Sequence, residues 1–273
     1  MAHHHAVPAH HRSSVTYPVT MLHRFYSLVL MPALAIVLVI AAIRLLRLAP
    51  DTVPVVIAWP HLFTALGLSF WRILIAYVCS LAIAIPLAVM ATHGKWSGRI
   101  LLPFFDVLES VPILAFFPVV ILFFVKYDFF DGAAIFVIFM DMMWNILFTV
   151  VGGLRSIPQD IRLAAQVFGM RGMSYFRKVL LPAITPHIIT GSIIAWGQGW
   201  NIIIVAEVLH TYLPQGAPSQ DLFGIGSVLV HASANGQTGL FMASVAVLVI
   251  GIGLLNILVW QRLLHYAERF KFE

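Results

Sequence analysis

The chain has 273 residues, of which 61% are apolar and only 10% charged, and its mean hydropathy is +0.95. A typical soluble domain is about 25% charged, so too few charges are present here to clothe a water-facing surface. Soluble enzymes, nucleic-acid binders and disulfide-stapled secreted scaffolds are excluded, and the net charge of +5 reads as basic loops beside a membrane.

The start of the chain, with His3, His4, His5, His10 and His11, is followed by no immediate apolar core. It is expected to be a tail, residues 1–27, rather than a signal peptide. Crossing the hydrocarbon takes about 20 apolar residues in a helix, and six stretches qualify. The first is Leu28–Leu48, with Arg44 and Arg47 near one end. The second is Ile73–Ala91, whose helix begins earlier, near Leu66, and so encloses Arg72. The third, Ile100–Val125, holds Asp106 and Glu109, and Pro103, Pro112 and Pro118 predict that it bends or breaks. Ala133–Leu154 carries one acid, Asp141, while Ile188–Ala206 and Leu240–Trp260 carry no charge. These spans make up a transmembrane domain over residues 28–260, followed by a tail at 261–273. Cys79, the single cysteine, reads as a small packing residue.

Basic residues set the orientation. Placing both termini in the cytoplasm puts Arg12, Arg24, Lys95, Arg99, the loop between spans four and five, and the C-terminal tail on one side. Only Arg44, Arg47 and Lys126 then lie on the other. The loop at residues 155–187 is basic, is bounded by Pro158 and Pro182, and reads as helix in Gln159–Phe168 and Tyr175–Leu180, with Gly169 and Gly172 between. The stretch His210–Gly239 has no basic residue and reads as an external loop with re-entrant or short helical pieces.

No Gly-x4-Gly-Lys-Ser/Thr loop, Cys-x-x-Cys, His-Glu-x-x-His or serine elbow is present, so no catalytic centre, bound cofactor or metal is expected in the chain. The loop instead reads Leu163-Ala164-Ala165-x3-Gly169, then nine residues to Val179-Leu-Leu181-Pro182. This resembles the Glu-Ala-Ala-x3-Gly-x9-Ile-x-Leu-Pro signature of permease subunits of ABC importers, with Leu163 standing at the Glu position. Small residues there suit close approach to a partner, and the glycine suits a sharp turn.

Further stretches resemble the nitrate, sulfonate, taurine and bicarbonate importer permeases. These are Leu68–Arg72 through Ile85–Ala88, Pro112–Ala115 with Pro118, Val205–Glu207, and the closing Trp260–Phe270. The resemblance implies an all-α, polytopic type I importer permease of about six helices in the inner membrane, with a cytoplasmic coupling helix. It also implies separate ATPase subunits that bind ATP and Mg, a second copy or a sister permease, and an external solute-binding protein. Residues Leu163, Ala164, Ala165, Gly169, Met170, Arg171 and Gly172 are the expected ATPase-docking positions.

Polar groups inside spans are costly and face a cavity or a partner. Asp141 and Asn145 share a face, and with Gln198, Trp200, Asn201 and Glu207 they are the pathway candidates. Arg72, Asp106 and Glu109 are candidates for structural ion pairing. Two rival readings stand beside the importer. One is a stand-alone carrier or channel with Asp141 or Glu109 as a proton relay; the other is a structural subunit of a membrane complex.

Overall fold

A computed structural model describes residues 57–212 and 221–270, together with Val37, Ile40 and Arg44. Those three positions are helical and lie in the unit Met1–Pro50; the rest of the expected first span falls outside the described residues. All elements below belong to the second unit, Asp51–Glu273.

Helix α1, Trp59–Thr92, opens with a proline in its first turn, where the missing N–H costs nothing. Helix α2 spans Lys95–Ser110 and α3 spans Ile113–Val125. The two meet at 82°. The cause is local: a residue before proline is driven out of the α region, and Val111 is extended at φ −78° and ψ 122° ahead of Pro112. The break predicted from the prolines of span three is therefore one sharp corner, while Pro103 and Pro118 lie inside continuous helices.

Helix α4 is Phe130–Ser156 and α5 is Gln159–Val167. Helix α6 runs Gly172–Ala206, with a π-helical stretch at Phe176–Leu180. Helix α7 is Ile225–Ala234, and α8 is Thr238–Ala267 with a second π-helical stretch at Asn256–Trp260. Within the expected tail, residues 261–267 continue α8 as helix, with no proline or glycine to interrupt them. Among the described residues, four single helices, with the bent α2–α3 pair as a fifth, are long and apolar enough to cross a membrane. The chain is an all-helical integral membrane protein.

Helix α4 forms the centre and packs most extensively against α6 and α1. Its Ile138, Met142, Ile146, Leu147 and Val150 are fully buried. On α1, Ala76, Ser80, Ala84 and Ala88 are buried at a spacing of four, a stripe of small residues that lets helix backbones approach. The Ser80 hydroxyl lies 3.1 Å from the Phe139 carbonyl of α4 as well as bonding its own helix. Gly191 does the same service on α6, where an added Cβ would meet the Ile146 backbone and Thr149.

Candidate functional site

Two polar constellations mark the ends of this bundle. The first is the loop between α4 and α6. Helix α4 stops at Ser156 because Ile157 precedes Pro158 and is extended. Helix α5 then turns Ile161 and Ala165 inward, with Ala165 only 4% exposed. Its opposite edge carries Leu163, Val167 and Phe168, the last two 85% and 77% exposed, and Met173 continues that apolar surface at the start of α6. Arg162 anchors α5 by donating from Nη2 to the Leu154 carbonyl at 2.6 Å.

The end of α5 is a Schellman motif. Met170 N–H bonds the Ala165 carbonyl and Gly169 N–H bonds the Gln166 carbonyl, each at 2.9 Å. Gly169 occupies the left-handed region at φ 65°, and Gly172 follows at φ 55°. Both glycines were singled out from the sequence as the turn. Of the expected docking positions, Ala164 is exposed whereas Ala165 faces the chain's own core. Val167, Phe168 and Met173 were not singled out, although the spacing of 163 and 167, one helical turn apart, held that information.

The second constellation is buried at the other end of the same helices. Arg72 of α1 reaches Asp131 at 2.6 Å through Nε and Glu207 at 2.7 Å through Nη1, and also donates to the Phe223 carbonyl. Its expected structural partners are corrected accordingly: Asp106 and Glu109 form no ion pair among the described residues, and Arg72 pairs instead with Asp131 and Glu207. Glu207, expected on the pathway, caps α6 with no exposed surface. It accepts from Ser69 Oγ at 2.6 Å and from Gly226 N–H at 2.8 Å. Ser69 in turn accepts from Ile225 N–H. One carboxylate thus ties α1, α6 and the start of α7 together, with Asp131 of α4 on the far side of the arginine.

The glycines around it are required by space. A Cβ at Gly224 would collide with the Glu207 carboxylate, and one at Gly226 would come within 2.7 Å of Ile204 Cα. Outside this hub, Asp221 lies 2.7 Å from both His210 Nδ1 and His231 Nε2 and also accepts from His210 N–H. Burial raises the Asp221 carboxyl, but the bonds and charge supplied by His210 and the bond from His231 outweigh it, so the group sits below its ordinary value. Among the described residues, no group of three or more His, Cys, Asp or Glu side chains could hold a metal ion.

The remaining pathway candidates divide. Gln198 and Asn201 are exposed on one face of α6, below Thr190 and Ile194, whereas Trp200 is 6% exposed and packs with Trp196. Neither buried indole N–H has an acceptor among the described residues. Asp141 and Glu109 line one cavity of about 300 Å³ at the α2–α3 corner, together with Trp144 and Ile202. Asn145 donates back to the Asp141 carbonyl. Asp106 lines a different cavity with Arg155.

Known proteins place these features in a family. A nitrate import permease protein of Leptolyngbya laminosa is 35% identical over 166 residues, covering 61% of this chain and 58% of the relative. A bicarbonate transport system permease protein of Synechococcus elongatus is 30% identical over 202 residues, covering 74% of this chain and 66% of the relative. The chain thus spans less than two thirds of the length of either. A putative ABC transporter permease protein of Methanocaldococcus jannaschii is 26% identical over 201 residues, 74% of this chain and 69% of that protein. Residues 80–265, from the middle of α1 to near the end of α8, match the family of binding-protein-dependent transport system inner membrane components, and the chain belongs to that family.

Proposed function

We propose that this chain is the non-catalytic transmembrane subunit of an ATP-driven importer of a small oxyanion or sulfonate. The observation that carries the reading is the α5 edge of Leu163, Val167 and Phe168, held outward by the turn at Gly169 within the Ala164-Ala165-x3-Gly169 spacing. An exposed apolar surface beside charged loops is a partner-binding surface. Its occupant is an ATPase subunit, which supplies the sites for ATP and Mg.

In this reading both termini and α5 are on the cytoplasmic side of the inner membrane. Two permease chains, identical or sister, enclose the pathway. Closure of the ATPases draws the two α5 segments together and favours the outward-facing state, an external binding protein releases solute, and hydrolysis restores the inward-facing state. Each ligand acts through its unequal affinity for two conformations. Nitrate and bicarbonate are the solutes named for the relatives, and the solute class here follows them. The exposed amides of Gln198 and Asn201 supply neutral donors along α6, which suits an anion better than the carboxylates of the α2–α3 corner.

Co-expression with a candidate ABC ATPase subunit, purification in mild detergent and an ATPase assay test the proposal. A stable assembly whose hydrolysis falls on Phe168→Asp or Val167→Asp supports it. A permease that purifies alone and transports on an ion gradient overturns it.

A further inference from the structure

The largest of the cavities described in this chain, about 570 Å³, lies at the root of the α5 loop. Its walls include Thr92 and His93 at the end of α1, Arg162 and Gln166 of α5, Arg171 just before α6 and Tyr175 in its first turn. Every one of these side chains can donate a hydrogen bond, and among the described residues no carboxylate lines the space. Asp160, on the same helix as Arg162, is not among the lining residues. Leu154, Met170 and Leu180 complete the cavity and make part of its surface apolar. Arg162 is held in place by its single bond to the Leu154 carbonyl, which leaves most of its guanidinium donors unspent.

We propose that this cavity is an anion site for a phosphate group, carried either by free orthophosphate or by an anionic lipid headgroup. Two guanidinium groups and an imidazole from three separate segments converge on one space without a counter-charge. Planar guanidinium forks match the oxygens of a phosphate. A phosphate there joins the end of α1 to the α5–α6 loop and so restrains the loop. Met170, Arg171 and Gly172 line it and are also expected docking positions, but its test needs no ATPase.

The test uses the full chain in nanodiscs. One arm measures binding of radiolabelled orthophosphate in phosphatidylcholine discs. The other measures retention of phosphatidylglycerol by native mass spectrometry from mixed discs. Saturable binding in either arm supports the site and names its source, provided that Arg171→Gln and His93→Gln each weaken it at least tenfold. Arg177→Gln, a matched loss of charge on an exposed residue outside the cavity, must leave it within twofold. Equal weakening by Arg177→Gln overturns the proposal in favour of diffuse surface charge. Absence of binding in both arms overturns it too.

Discussion

Gly169 offers the sharpest test, because conformation and space can be separated there. Nothing lies within 4 Å of a Cβ added at this position, so alanine meets no steric obstacle within the chain. The backbone, however, sits at φ 65°, where an L side chain costs about 1–2 kcal/mol. Gly169→Ala therefore opposes the two bonds that close α5, Met170 N–H to Ala165 and Gly169 N–H to Gln166, and leaves the membrane helices untouched. A cost of that size lowers the population of the closed turn by about five- to thirtyfold relative to its open forms. Asparagine tolerates the left-handed region, so Gly169→Asn should recover most of the loss despite its larger side chain. The assay is hydrogen exchange at the Met170 amide, read beside the ATPase rate of the purified assembly. Faster exchange and a lower rate in the alanine variant, both largely restored by asparagine, are expected. If asparagine is as damaging as alanine or worse, bulk at the partner surface governs the position and the backbone argument fails.

Arg72→Met strands the Glu207 carboxylate in a buried site, a class of change that costs about 3–5 kcal/mol, and adding Glu207→Gln should return most of it; a double variant as heat-labile as the single one would refute the pairing. Gly224→Ala should sharply reduce the yield of folded protein, since its backbone is extended (φ −173°) and the whole penalty is collision with Glu207, whereas Gly197→Ala, with open space around it, should be tolerated; equal yields refute the steric account. Asp221 is held below its ordinary value, so its contribution is present above the unfolded carboxylate value of about 3.9 and is lost only as pH falls below that. Exchange at Leu222 N–H, bonded to the Glu207 carbonyl, should stay slow at pH 5, and loss of protection there would contradict the assignment.

The bundle was legible because hydrocarbon thickness leaves a sequence few options. Long runs with at most one charge became α1, α4, α6 and α8, and the prolines of span three foretold a break that falls at Pro112. The loop turn was legible for a similar reason, since a glycine between two short amphipathic stretches has one common use. The ion hub was not. Arg72 was visible as a charge inside a span, but Asp131 lies 59 residues away and just ahead of the apolar run, where it reads as a loop acid. Glu207 stood out as polar, yet hydropathy says nothing of whether such a group faces water or an arginine. His210, Asp221 and His231 come together beside a bond from Leu222 N–H back to Glu207, a tertiary arrangement that no local pattern records.

Helix α6 physically joins the two constellations. Its 35 residues span about 50 Å at 1.5 Å per residue, from the Gly169–Gly172 turn to the cap at Glu207. Force applied at α5 reaches the hub only through an element with two discrete arrangements, and the hub contains one bond suited to breaking. Glu207 has no exposed side-chain surface, whereas Asp131 is 50% exposed on the same arginine. Separation of Arg72 from Asp131 removes an ion pair between α1 and α4 while leaving Arg72 of α1 bonded to Glu207 at the end of α6. Partly exposed pairs contribute about 0–1 kcal/mol, so Asp131→Asn should barely move thermal stability. If that bond belongs to one transport state only, the same change should alter the basal ATPase rate of the assembly by up to about fivefold, since 1 kcal/mol shifts a two-state ratio by roughly that factor. A stability loss as large as that of Arg72→Met would instead make Asp131 a fixed part of the hub, and motion would then have to be sought at the π-helical stretch Phe176–Leu180 or near Pro186, inside α6.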